Sequence, residues 1–223
     1  MIKAVFFDLD GTLVEFKLDV YGSKIEVLKV IRSMVPNLEG LDETRSYFTM
    51  LDKVRTSTNK TTYEKIREHI YEVLNTFEEK AARETELRPR AIEVLHELRN
   101  SGKKLALLTN SGKKAVNFVL NKFQMDNYFD IVLTRDDIEF MKPSPIGVHF
   151  LLDYFKLKPH ECITVGDGII DIVPSKIAGI KTIVIAGGFT PVGRLKQEKP
   201  DYILYNLTDI VPIIDQLGVS KKA

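Results

Sequence analysis

The sequence predicts an α/β protein: a parallel sheet with helices on both faces, interrupted after its first strand by an all-helical insert. Short apolar runs of strand length, at residues 2–7, 104–108, 162–165 and 182–185, are separated over most of the chain by stretches with helical spacing. These runs are continuous rather than alternating in polarity, as expected of strands covered on both faces. From about residue 15 to 87 the texture changes to few glycines, many charges and apolar residues at helical spacing.

The elements follow in order. Residues 2–7 form a buried strand that runs directly into Asp8-Leu9-Asp10-Gly11-Thr12. Helices are expected at about 23–34, 42–55 and 62–83, broken by Val35-Pro36-Asn37 and by the polar run 56–62. In the third, Ile66, Ile70, Val73, Leu74 and Phe77 make a stripe that reads as packing surface. After Pro89 the βα alternation begins, with a helix over 90–100 closed by Ser101-Gly102 and a strand over 104–108 ending at Thr109. Then come a helix over 111–123, a short strand over 131–133, a helix over 144–155 and a strand over 162–165 ending at Gly166-Asp167. A short helix is expected over 171–178, where Asp171 can act as N-cap; it carries Pro174 in its first turn and stops at Gly179. A strand over 182–185, a marginal edge strand over 202–204 and a helix over 207–216 complete the series. Alternation of this kind implies parallel pairing.

Composition narrows the function. The 223 residues can bury a sizeable core, and 32 Lys and Arg against 31 Asp and Glu leave a net charge of +1, so no nucleic acid partner is expected. The single Cys162, among apolar neighbours, rules out an intrachain disulfide and reads as an inert core thiol of a reducing compartment. The chain enters its first strand without a signal-peptide pattern, and its longest apolar stretches, such as 180–189, are too short for a membrane span. A cytoplasmic, soluble protein with no membrane partner is expected. His69, His96, His149 and His160 show no ligand spacing and receive no role.

Chemistry concentrates after the strands. Asp8 and Asp10 would repel each other unless a cation or a shared proton intervenes, and hard oxygen donors with no histidine or cysteine nearby suit Mg²⁺; a solvated turn is the plain alternative. Thr109-Asn110-Ser111 fits an anion site at a helix start, or an ordinary N-cap. Lys142, extended before Pro143, can meet phosphate oxygens, hold a carboxylate ionised, or lie on the surface. Asp167 is a candidate metal ligand; Asp171 is a ligand, an orienter of Lys142, or only a cap.

Asp8-Leu9-Asp10-Gly11-Thr12, Thr109-Asn110, Lys142-Pro143 and Gly166-Asp167 with Asp171, in that order, resemble the four motifs of the haloacid dehalogenase-like hydrolase superfamily. The resemblance implies a Rossmann-like core of residues 1–14 and 88–223, and an insert at 15–87 similar to a C1-type cap, as in phosphoglycolate phosphatase-like and β-phosphoglucomutase-like members. It implies a phosphatase in which Asp8 attacks phosphorus to form an aspartyl-phosphate and Asp10 is acid and base. Mg²⁺ would be held by the carboxylates of Asp8 and Asp167 and the main-chain carbonyl of Asp10. Thr109, Asn110 and Lys142 would bind the phosphoryl group, with Asp171 in support.

A phosphomutase would use the same residues and differ in how well the cap excludes water. A dehalogenase is disfavoured, since that branch lacks an aspartate at position 10. A catalytically inactive binding protein would be expected to lack one of the acids. Gly112-Lys113 fails as a P-loop because Leu107 replaces its first glycine and Lys114 its serine or threonine. Gly166-Asp167-Gly168 fails as a dinucleotide fingerprint, with Asp171 at its third glycine. The expected partner is a small phosphorylated metabolite, for a monomer or homodimer. In the cap, Arg32, Arg45, Lys53 and Arg55 are candidates to meet a substrate carboxylate or second phosphate, or else a solvated face.

Overall fold

The strand-length runs assemble into one parallel sheet. The computed structural model describes residues 1–219. Its strands are β1 (Ala4–Phe7), β2 (Lys104–Leu108), β3 (Ile131–Leu133), β4 (Cys162–Gly166), β5 (Lys181–Ile185) and β6 (Tyr202–Leu204), in spatial order β3-β2-β1-β4-β5-β6. The chain winds outward from β1 through β2 to β3, returns to the other side of β1 at β4, and winds outward again. The order therefore reverses between β1 and β4, where the strand ends open a crevice.

The helices are α1 (Val20–Met34), α2 (Tyr47–Ser57), α3 (Lys60–Glu84), α4 (Ala91–Asn100), α5 (Lys113–Lys122), α6 (Ile146–Phe155), α7 (Ile169–Ile177), α8 (Val192–Gln197) and α9 (Ile210–Val219). The continuous apolar strands are explained by burial on both sides. Val5 and Phe7 of β1, with Leu105, Leu107, Ile163 and Val165, pack under α4, α5 and α9 through Leu95, Val116 and Ile210. Ala4 and Phe6, with Ala106, Leu108 and Cys162, face Val148 and Leu151 of α6. Cys162 is buried, as expected of a core thiol, and its pKa is pushed up to about 12 chiefly by burial.

The insert gathers a cluster of its own: Val27, Leu28 and Ile31 of α1, Met50 and Val54 of α2, and Ile66, Ile70 and Leu74 of α3, joined by Met141. The chain enters and leaves it through a short antiparallel ribbon. There Glu15 N–H donates to Glu86 O (2.8 Å) and Arg88 N–H to Leu13 O (3.0 Å).

Several boundaries differ from expectation, and in the insert the reason is that a different side chain caps each helix. The expected starts at 23, 42 and 62 move to Val20, Tyr47 and Lys60, where Asp19, Ser46 and Asn59 accept from the N–H groups of Gly22, Thr49 and Thr62. Asp42 instead binds Thr44 N–H in a turn (2.9 Å). The helix expected from 111 begins at Lys113, because Gly112 N–H is taken by Glu78 and Lys113 N–H by Asp136. The helix expected from 171 begins at Ile169, so Asp171 is not its N-cap but lies inside the first turn, accepting Gly168 N–H, and Pro174 falls in the helix interior. The short α8 has no counterpart in the sequence reading; six residues are too few for a helical period to register.

Candidate active site

Asp8 is the first residue after β1, and its N–H extends the ladder to Val165 O at 2.9 Å. Asp167 is the first after β4, and Thr109 the first after β2, its N–H bound to Leu133 O at 3.0 Å. The sheet thus delivers all three to one end at the switch point, and all three are buried. Lys142 arrives otherwise, from the loop between β3 and α6. Asn110 holds that loop through both ends of its amide: Nδ2–H donates to Lys142 O (2.9 Å) and Oδ1 accepts Lys142 N–H (2.8 Å).

Lys142 Nζ lies 2.7 Å from Asp8 Oδ1 and 2.6 Å from Asp171 Oδ1. Of the alternatives for Asp171, the observed contacts are those of a group orienting Lys142: one oxygen takes the ammonium and the other the Gly168 N–H. Asp8, Asp167 and Asp171 each offer an oxygen within 4.8 Å of the others. Three buried carboxylates around one ammonium are short of positive charge. Burial above all, with the neighbouring acids, holds Asp8 well above the carboxylate range, and Lys142 only partly opposes it. Asp167 is pushed up to about 7, first by burial and then by Asp171. Oxygen donors, close spacing and unbalanced charge fit a hard divalent cation.

Asp10 lies outside this cluster. The turn after Leu9 carries its carboxylate to Ser111, whose hydroxyl donates to Asp10 Oδ2 at 2.6 Å. Burial raises its pKa, against the Ser111 hydrogen bond and Lys142. The turn depends on Gly11, at φ +84°, where a β-carbon would also overlap the Asp167 carboxylate. Gly11→Ala is expected to cost ~1 kcal/mol or more in strain and to push Asp167 aside. Urea unfolding measures the first effect, and a crystal structure of the variant the second.

A cleft of about 280 Å³ opens over these groups. Its walls come from the core and the insert, among them Phe16, Phe48, Leu74, Val116, Met141 and Phe189. Arg32, Arg45, Lys53 and Arg55 are exposed and line no part of it; the insert's cation there is Lys24, whose Nζ donates to Glu43 O at 2.9 Å. Sequence reasoning missed two further residues. Glu78 and Arg135 form a buried ion pair at the cleft wall. Glu78 had a signal, since it continues the buried series Ile66, Ile70, Leu74 at intervals of four. Arg135, in the turn after β3, had none.

A doubly wound α/β sheet with buried acids beyond its switch point defines the class as an enzyme core of Rossmann-like build. More specifically, the chain belongs to the haloacid dehalogenase-like hydrolase family, whose model matches residues 5–185. It is 28% identical to the pyrophosphatase PpaX of Bacillus mycoides over 97% of this chain and 99% of that one. Its fold is similar to that of a hydrolase from Pseudomonas syringae (TM-score 0.71, 20% identity, 96% of this chain and 98% of that one). It is also similar to a predicted phosphoglycolate phosphatase from Haemophilus somnus (TM-score 0.66, 23% identity, 96% and 98%). At those identities the structural likeness shows the fold alone. No helix among the described residues is long and apolar enough to cross a membrane.

Proposed function

We propose that this protein is a Mg²⁺-dependent phosphatase acting on small-molecule phosphate monoesters, with Asp8 as nucleophile and Asp10 as acid and base. One observation carries the reading: two carboxylates two residues apart occupy different surroundings. Asp8 faces Lys142 and the acidic cluster, whereas Asp10 turns to Ser111. Environments that separate paired carboxylates in this way assign them separate tasks.

An Asp8 oxygen attacks phosphorus while the ester oxygen departs with the proton of Asp10, leaving an aspartyl-phosphate. Asp10, now ionised, takes a proton from water as that water attacks the same phosphorus; phosphate leaves and Asp8 is restored. Lys142, held by Asp171, offsets the charge of the attacking carboxylate. The Thr109 hydroxyl and the N–H groups of Leu9 and Asn110 orient the phosphoryl oxygens. The carboxylates of Asp8 and Asp167 and the Asp10 carbonyl would hold Mg²⁺, which supplies positive charge against the phosphate. Residues 15–87 act as a cap on the core of 1–14 and 88–223, turning on the ribbon of Leu13–Glu15 and Glu86–Arg88 and shielding the cleft from water. The single buried thiol suits a cytoplasmic setting.

Purified protein should release phosphate from an aryl phosphate with Mg²⁺ and not with a chelator; absence of turnover above an Asp8→Asn control would sink the proposal. A panel containing phosphoglycolate, sugar phosphates, nucleoside monophosphates and inorganic pyrophosphate, the last suggested by the name of the Bacillus relative, ranks substrates by kcat/KM.

The pKa shifts give a second expectation. Asp167 is raised from 3.8 to about 7, so the folded metal-free protein binds more protons than the unfolded chain across that interval. Stability of the metal-free form therefore falls as pH rises from about 4 to about 7. A cation that replaces those protons is expected to raise Tm more at about pH 8 than at about pH 5.5. Melting curves with and without Mg²⁺ test this, and an equal increment at both pH values would count against these ligands.

A further inference from the structure

We infer that the buried Glu78–Arg135 pair positions the acid–base residue Asp10, acting through the backbone of Asn110-Ser111-Gly112 and the Ser111 hydroxyl. The inference rests on the phosphatase reading and adds residues to it.

Glu78 lies on α3 of the insert and Arg135 in the turn after β3, at 7% and 1% exposure. Between them they grip each residue of the tripeptide. Glu78 Oε2 accepts Gly112 N–H (2.9 Å), the Arg135 main-chain N–H donates to Ser111 O (3.2 Å), and an Arg135 terminal nitrogen donates to Asn110 O (3.1 Å). The other terminal nitrogen binds Asn75 Oδ1 (2.7 Å) and Glu78 Oε2 (3.0 Å), while the Tyr71 ring lies 4.7 Å from the guanidinium carbon. The tripeptide's middle residue is the one whose hydroxyl holds the Asp10 carboxylate at 2.6 Å.

Burying two charges is costly, and matched apolar residues often stabilise a fold as well or better, so packing alone gives weak reason for this pair. What the pair supplies is direction. It fixes the two peptide groups of the tripeptide from two separate elements; the main-chain bond to Ser111 O would survive an apolar residue at 135, but apolar side chains could make neither the bond to Gly112 N–H nor the bond to Asn110 O. Because Glu78 belongs to the insert and Ser111 to the core, the hydroxyl facing Asp10 is fixed when α3 is seated. The Ser111 hydroxyl links the tripeptide to Asp10, while Asn110 also holds the Lys142 backbone; a disturbance passed through Asn110 slows all esters alike, whereas one passed through Ser111 falls on proton transfer.

The test separates proton transfer from nucleophilic attack. An alkyl phosphate needs the Asp10 proton for its alkoxide to leave, whereas a nitrophenolate leaves unprotonated. With saturating Mg²⁺, kcat/KM is measured on both substrates for wild type, Glu78→Gln, Ser111→Ala and the double variant. Each single change is expected to raise the aryl-to-alkyl ratio by about 10-fold or more, with no further rise in the double. An unchanged ratio in either folded single variant, or multiplicative effects in the double, overturns the inference. Should Glu78→Gln fail to fold, the double variant Glu78→Leu/Arg135→Met, which strands no buried charge, takes its place, and an unchanged ratio there overturns the inference. Wild type inactive on both substrates would refute the phosphatase reading instead.

Discussion

Replacing Asp8 by Asn should lower turnover on the order of 10⁴-fold or more on every phosphate ester, because it removes the proposed nucleophile. The loss should come without unfolding. The amide keeps the shape of the carboxylate and removes a charge that burial and the neighbouring Asp167, Asp171 and Asp10 all oppose, at the cost of one of two contacts to Lys142. Phosphate release by the pure variant measures the first statement and its melting temperature the second. Asp10→Asn should differ in kind, losing on the order of 10²–10⁴-fold on alkyl esters and less in kcat/KM on an activated aryl ester. If the two variants show the same dependence on leaving group, the assignment of separate roles fails.

The second large effect is on stability. Glu78→Leu alone should destabilise by about 3–5 kcal/mol, since it leaves Arg135 charged and without its carboxylate in a site that is almost fully buried. Arg135→Met alone should do the same by stranding Glu78, whose pKa burial already raises against the opposing pull of Arg135. The two changes together should recover most of the loss, because an apolar pair of similar volume strands no charge. Urea unfolding of the two single variants and the double gives the coupling directly; additive losses would mean that the pair is not the unit it looks to be. A stable double variant would also be informative kinetically, as it should fold yet keep the defect on alkyl esters.

The contrast between these two sites explains how much was legible in the chain. Asp8 and Asp167 could be read because each directly follows an apolar strand, and strand ends next to a switch point are where such a sheet collects its ligands. Thr109 obeys the same logic. Lys142 was legible only through its place in a series of motifs, since a loop lysine before proline has no periodicity to announce it. The insert's helices were found from their apolar spacing, but their ends moved by a few residues because Asp19, Ser46 and Asn59 compete with other plausible caps nearby. Arg135 was invisible: one arginine in a polar turn looks the same whether it faces water or a glutamate 57 residues away.

The sequence by itself therefore determined the α/β class, the helical insert and the residue types at the sheet's carboxyl end. Those features are written in local periodicity and in the polar residues that close each apolar run. Only the tertiary structure decided that Asp10 turns from the acidic cluster to Ser111, that Asp171 meets Lys142 from the first turn of a helix and is not its N-cap residue, and that Glu78 reaches Gly112 across the cleft wall. Each of these is a contact between elements far apart in the chain. Its partner is chosen by which buried polar group would otherwise go unpaired, and that depends on the packed whole rather than on any local run of residues.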